Sequence, residues 1–319
     1  MKHALVLGAS GALGLGLCKH LSSLGWKVKA FSRSWDNDSS VAISSDSGIK
    51  LIEGSIFEAD VLEDALEGVT HVFNFVSFSV PSTSPTFAEI EINQTLRGLD
   101  TILSAMVRAG VRNFIYPSSG GTIYGDTKGI PASENFPLLA ISSYGAGKIL
   151  SEELIKFYSR VHGIQHRIIR ISNIYGYPVS RRVSQGVIDV SLNKLRKDQD
   201  LEIWGPKDIV RDYLFIEDLY DAITALLELP DMQNLTVNIG SGQGATLEKI
   251  IQVLTEVTGK TPVIHSKPSH YAGIPYNVLD CSLLASITGW KPKHTLESGI
   301  EKIWNNKMYA MDHVMREVK

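Results

Sequence analysis

The sequence predicts an α/β fold: a doubly wound parallel sheet joined to a smaller C-terminal α/β region. Three observations carry this expectation. Apolar runs alternate with helix-period segments from the first residue to about residue 173. The strand-like runs, HALVL (3–7) and HVFNFV (71–76) among them, are apolar at consecutive positions, as strands covered on both faces are. A glycine-rich turn, GASGALG (8–14), joins the first strand to the first helix.

The elements follow in order. After HALVL, the segment ALGLGLCKHLSSLG (12–25) reads as a helix closed by a glycine. KVKAFS (27–32) and IKLIEG (49–54) are the next strands, and the Ser/Asp-rich stretch between them (33–48) reads as a surface loop. A short helix near 58–67 leads to HVFNFV, and a long amphipathic segment runs from Phe87 to Ala109. The strand NFIYPS (113–118), a helix over 142–162 and the strand HRIIRIS (166–172) complete the alternation. Past Asn173, Pro178, Gly205 and Pro206 punctuate shorter elements, with helices near 184–196, 216–228, 246–258 and 297–310 and a late strand TVNIG (236–240). The expected division is therefore 1–173 and 174–319, with some later elements returning to the main sheet.

Composition narrows the function. The 319 residues are 44% hydrophobic and 20% charged, with a net charge of −3 and no block of like charge, so no nucleic-acid partner is expected. The N-terminal apolar run is too short for a signal peptide or a membrane span, so no membrane association is expected. Two distant cysteines, Cys18 and Cys281, and nine histidines without ligand spacing predict no disulfide and no metal, and fit a reducing, cytoplasmic setting.

Glycines at 8, 11 and 14 allow a tight turn and close approach of backbone to a pyrophosphate at the helix N-terminus, so a dinucleotide site is expected there. Ser32 and Arg33 end the second strand, with no carboxylate before Asp36. A cation there suits the 2′-phosphate of NADP, so within an NAD(P) reading NADP is favoured over NAD, and Arg33 is taken as the one cation beside that strand end. Tyr144 and Lys148 lie four residues apart and would share a helix face, where an ammonium lowers the pKa of a nearby phenol. The same spacing also fits one exposed face of a helix.

With Gly8/Gly11/Gly14, YPSSGGTIYG, SSYGAGK, IRISNIYG, VRDYLFIEDL and LDCSLLASITGWKP in this order, the chain resembles the extended short-chain dehydrogenase/reductase family. Within it, the likeness is to the NAD-dependent epimerase/dehydratase type, above all the UDP-galactose 4-epimerases, over about residues 3–305. The resemblance implies a Rossmann dinucleotide-binding domain followed by a nucleotide-sugar-binding region. It makes Tyr144 the acid/base that takes a proton from a sugar hydroxyl while hydride passes to the nicotinamide, and Lys148 the holder of the nicotinamide ribose. It asks for a serine or threonine hydroxyl after the fifth strand. Counting forward selects Ser119, whereas counting back from TIYG falls on Gly120, with Thr122 as the reserve.

The resemblance also implies cofactor contacts from Ser10, Ala12 and Leu13 in the turn, and from Ser55 and Ile56 where relatives carry an acidic residue beside the adenine. It adds Phe75, Val76 and Ser77 after the fourth strand, Asn93 at the start of a helix (where it also reads as an N-cap), and Ser172 near the nicotinamide. Asn173 and Arg211 are implied at the diphosphate of a UDP-sugar, with a salt bridge to Asp212 or Glu217 as the other reading of Arg211. Arg181, Arg182, Trp204 and Tyr213 are further candidates, and Tyr276 stands where many relatives place an arginine. Dehydratases of the family carry Asp-Glu after the hydroxyl residue, and GGTIYG has none, so epimerisation is expected, ahead of an NADP-dependent reductase and a non-catalytic dinucleotide binder. The apolar stripes of 87–109 and 142–162 resemble the helices by which relatives form homodimers.

Overall fold

The computed structural model describes residues 2–36, 39, 40, 43, 46–78, 88–177, 186–204, 206–230, 234–267 and 274–306. Strands β1 (His3–Leu7), β2 (Lys27–Ser32), β3 (Ile49–Glu53), β4 (His71–Asn74), β5 (Asn113–Ser119) and β6 (Gln165–Ile171) fall where the apolar runs place them. Next come β7 (Asn173–Tyr175), β8 (Leu201–Trp204), β9 (Val210–Phe215), β10 (Leu235–Ile239), β11 (Gly244–Thr246), β12 (Ile264–Lys267) and β13 (Tyr276–Asn277). The main sheet has seven strands in the order β10-β6-β5-β4-β1-β2-β3, and every pairing in it is parallel.

The pleat explains the continuous apolar runs. Ala4 and Val6 of β1 belong to one core, and Leu5 and Leu7 to the core on the opposite face. Phe114 and Tyr116 of β5 likewise face one side while Ile115 faces the other. Chain order reverses between β4 and β1, so the carboxyl ends of these strands open a crevice at the switch point. β10 lies at the edge of this sheet beside β6, although it comes after residue 173. The other late strands form two small sheets. β9 pairs with β7, β11 and β13, and β12 pairs with β8.

Two sequence readings change. The stretch 33–48 is not all surface: Ile43 is fully buried in the core and Ser39 is buried, so an apolar residue there folds back under the sheet. Asn93 lies inside the Ala88–Ala109 helix, whose first turn carries Glu89 and Glu91, so it caps nothing and its side chain is exposed. Cys18 is buried and Cys281 half-buried, and both are free thiols. Among the described residues no helix is long and apolar enough to cross a membrane.

A buried ion pair ties the Ser143–His162 helix to the sheet. The Arg170 guanidinium on β6 donates to the Glu152 carboxylate at 2.7 and 3.1 Å, and Ser118 on β5 donates to it at 2.5 Å. Arg170 also donates to the Tyr124 hydroxyl and the Glu134 carbonyl, so four of its five N–H groups have partners. Arg170→Met should lower the unfolding free energy by about 3–5 kcal/mol, because it strands a buried carboxylate. Arg108→Ala, which removes only an exposed pair with Glu63, should cost less than about 1 kcal/mol. Urea denaturation of both variants checks this, and similar losses would mean that the Glu152–Arg170 pair is worth no more than a surface contact.

Candidate active site

The crevice begins at the end of β1. The N–H groups of Gly8 and Ala9 both donate to the Phe31 carbonyl at 3.0 Å, which turns the chain sharply at Gly8, φ +77°. A β-carbon on Gly8 would lie 2.8 Å from the Phe75 carbonyl group, and one on Gly14 would lie 2.5 Å from the Gly8 oxygen. Only glycine fits either place. The Ala12–Ser23 helix starts at Gly11 with no side-chain cap, so its first N–H groups, near Ala12 and Leu13, face the crevice mouth. This cradle fits the pyrophosphate of a dinucleotide.

Ser10 meets Ser32 hydroxyl to hydroxyl at 2.6 Å, and Ser32 donates to the Ser34 carbonyl. Ser32 is buried, whereas Arg33 beside it is exposed. The Ser55 N–H donates to the Glu58 carboxylate at 2.9 Å, and the Ser55 hydroxyl accepts from the Phe57 N–H at 3.2 Å. Ile56 is buried, and Phe75 and Val76 are half-buried under the glycine turn. Arg33 and Ser77 line a cavity of about 430 Å³ together with Phe57, Phe78, Gln94 and Arg97. Arg33 is thus not the one cation there, since Arg97 reaches the same cavity from the long helix. Ser172, after β6, is buried with a hydroxyl that has no protein partner.

At the other end stands the tyrosine. Ser142 caps the Ser143–His162 helix by accepting from the Gly145 N–H at 3.1 Å, which sets Tyr144 in the first turn and Lys148 one turn on. The Ser119 hydroxyl stands beside the Tyr144 phenol, close enough to lower its pKa. Thr122, in the short Gly120–Ile123 helix, keeps a buried hydroxyl without a protein partner and makes no such contact. Lys148 is buried, donates to the Pro117 carbonyl at 2.7 Å and lies 5.5 Å from the centre of the Tyr144 ring.

The electrostatics differ from the sequence expectation. Burial pushes the Tyr144 phenol up to about 12, against the lowering effect of the neighbouring Ser119 hydroxyl. Burial lowers the Lys148 ammonium to about 8, and Glu152 opposes that shift. Desolvation therefore outweighs the cation in this arrangement, because the ammonium sits over the ring face and is committed to a carbonyl. Glu152 itself was missed by sequence reasoning. Its place four residues after Lys148 puts it on the same helix face, and that periodicity was the available clue.

On the far wall, the Asn173 side-chain amide donates to the Asp212 carbonyl at 3.0 Å. A β-carbon on Gly121 would stand 3.7 Å from the Asn173 amide and 4.0 Å from the Ser119 hydroxyl, so these two side chains converge on one point. Arg211 on β9 is half-buried, and its guanidinium donates to the Val210 carbonyl. Asp212 is instead held by Ser241 and the N–H groups of Ser241, Gly242 and Leu279, and Glu217 pairs with Lys302. Tyr213 is half-buried with its phenol pushed up to about 12 by burial, and Tyr276 is half-buried on β13. Arg181 and Arg182 lie outside the described residues, as does the Trp204 side chain.

A family model described as "NAD dependent epimerase/dehydratase family" matches residues 4–240, from β1 to the strand that closes the main sheet. The chain belongs to this family. The epimerase/dehydratase match takes in the glycine turn, Ser119, Tyr144, Lys148 and Asn173. A putative UDP-glucose 4-epimerase of Methanocaldococcus jannaschii is 32% identical over 210 residues, 65% of this chain and 67% of that one. A dTDP-4-dehydro-6-deoxyglucose reductase of Escherichia coli is 34% identical over 194 residues, 61% of each chain. Among solved structures, the UDP-glucose 4-epimerase of Thermotoga maritima with UDP-glucose superposes with a TM-score of 0.84 at 26% identity, covering 94% of this chain and 96% of that one.

Kinetics of three variants probe the constellation. Tyr144→Phe should lower turnover by about 10²-fold or more while leaving dinucleotide affinity nearly intact. Ser119→Ala should cost about 10²–10³-fold and Thr122→Val much less, because the Ser119 hydroxyl stands beside the phenol and the Thr122 hydroxyl is buried in its own short helix. The reverse ranking would transfer the role to Thr122.

Proposed function

We propose that this protein is an NAD(P)-dependent nucleotide-sugar 4-epimerase whose substrate is a UDP-sugar. The observation that carries the reading is the Ser119–Tyr144–Lys148 constellation beside a turn, Gly120–Ile123, that offers no carboxylate. Elimination of water needs an acid and a base at the reacting carbons, and this turn supplies neither. Inversion of a carbinol needs one group that takes and returns a single proton, and Tyr144 is that group. Ser119, beside the phenol, would hydrogen-bond the reacting oxygen of the sugar. Lys148 keeps a positive charge under the tyrosine ring. With the phenol near 12 in the free protein, added positive charge in the crevice is what would bring it towards neutrality. The bound dinucleotide supplies a hydride acceptor that returns the hydride to the other face.

Gly8, Ser10, Gly11, Ala12, Leu13 and Gly14 would hold the pyrophosphate of that dinucleotide. Ser55, Ile56, Phe75, Val76, Ser77 and Asn93 would stand on the adenosine side and Ser172 on the nicotinamide side. Asn173 and Arg211 face the diphosphate of the sugar nucleotide. A UDP-sugar is chosen because relatives named as UDP-glucose 4-epimerases recur among those similar over most of this chain. The family name says NAD. NADP is nonetheless favoured here, because the exposed Arg33 ends β2 and no carboxylate precedes Asp36. That feature, with the similarity to a reductase, favours NADP-dependent reduction of a nucleotide-sugar ketone as the second reading.

The test is incubation with UDP-glucose and UDP-galactose under both dinucleotides. Interconversion without net change in reduced dinucleotide is expected, and product formed only with stoichiometric NADPH consumption would leave the reductase. In titrations, the wild type should bind NADP(H) about ten-fold or more tightly than NAD(H), and Arg33→Ala should erase the difference without weakening NAD(H). Equal or tighter NAD(H) binding by the wild type would overturn the NADP preference.

The same reading takes the protein as a cytoplasmic homodimer without nucleic-acid or membrane partners. Ile90 on one long helix and Leu150, Phe157 and Val161 on the other are 44–58% exposed, and the last three share one helix face. Two such helices from each subunit would bury these side chains in a four-helix interface. Sedimentation velocity at micromolar protein should show a dimer that Phe157→Asp dissociates. A wild-type monomer would remove this part of the proposal.

A further inference from the structure

The cavity beside β2 carries more charge than the adenosine of NAD asks for. Its wall draws on four elements: Arg33 after β2, Phe57 after β3, Ser77 and Phe78 after β4, and Gln94 and Arg97 on the Ala88–Ala109 helix. Because β4, β1, β2 and β3 are neighbours in the sheet, these strand ends stand side by side next to the glycine turn. At about 430 Å³ the cavity is of a size for a nucleoside-scale group. Among the described residues no carboxylate lines it.

The position of Arg97 is built. Its guanidinium lies over the Phe57 ring, 5.2 Å from the centroid, and Phe57 packs against Phe78 with ring centroids 6.0 Å apart. A cation seated on an aromatic face keeps its in-plane N–H donors free for another partner. The next residue, Gly98, lets the helix come this close, since a β-carbon there would fall 2.6 Å from the Phe78 ring. Among the described residues neither Arg33 nor Arg97 forms an ion pair with a carboxylate. A phosphate monoester carries nearly two negative charges at neutral pH, so Arg33 alone would leave about half of that charge uncompensated.

We infer that Arg97 is a second specificity-determining residue, which grips the 2′-phosphate of an NADP-type dinucleotide from the helix side while Arg33 holds it from the strand side. The inference rests on the NADP preference proposed above and adds a residue on a different element. Gln94 and Ser77 complete the wall with neutral donors.

Calorimetric titration of NADP+ and NAD+ against the full-length wild type, Arg33→Ala, Arg97→Ala and Arg97→Lys tests it. Arg97→Ala should weaken NADP+ by about ten-fold or more and NAD+ by less than about three-fold, the loss of one charged hydrogen bond. Arg97→Lys should recover part of the NADP+ affinity, and 2′-AMP should show the same ranking of variants while 5′-AMP shows none. Equal losses for both dinucleotides would reduce Arg97 to a packing residue and overturn the inference, as would no loss for NADP+. If the wild type prefers NADP+ and Arg33→Ala abolishes this, while Arg97→Ala changes nothing, this inference alone falls. If the wild type binds NAD+ at least as tightly, the preference falls and takes the inference with it.

Discussion

The Glu152 carboxylate, sealed from water, takes two hydrogen bonds from Arg170 and one from Ser118, and so joins the Ser143–His162 helix to β5 and β6. Ser118 is the neighbour of Ser119, and Lys148 is one helical turn before Glu152. Ser119, Tyr144 and Lys148 are therefore fixed relative to one another by a single buried charge pair. Such a pair adds little net stability against an apolar alternative, because both charges lose their hydration. What it does impose is register. Sliding the helix along the sheet would strand a carboxylate or a guanidinium in the core.

The same dryness sets the proton chemistry. Burial pushes Tyr144 and Lys148 towards their neutral forms, one pKa up and the other down. A tyrosine at about 12 stays protonated at neutral pH in the free protein. Charge brought into the crevice acts on that phenol more strongly than it would in water, because so little solvent screens it. The nearby Lys148, tied to Pro117, supplies a fixed positive potential without moving.

At the opposite end the design is one of missing atoms. Gly8 and Gly14 leave room that any side chain would fill, and Gly98 does the same for the long helix against Phe78. These absences bring backbone N–H groups and two arginines to a common rim. The crevice thus runs from a cationic rim at Arg33 and Arg97 to the buried surroundings of Tyr144 and Lys148, with the glycine turn between them.

The sequence by itself determined the parallel sheet, because strands covered on both faces are apolar at successive positions, as β1, β4 and β5 are. It also picked out the glycine turn and the Tyr144/Lys148 pair, since both depend on spacing within one element. Strands β7, β8, β9, β11, β12 and β13 left no such mark, being two to six residues long and partly polar, and they are defined by pairing with distant partners. Counting along the loop leaves Ser119 and Thr122 both open, whereas the tertiary structure puts the Ser119 hydroxyl beside the Tyr144 phenol and leaves the Thr122 hydroxyl buried without a protein partner. Tertiary structure alone brought Arg97 to Arg33 and Arg170 to Glu152, pairs that lie 64 and 18 positions apart in the chain. Helix and strand periodicity records which face of an element is buried, but not which other element covers it.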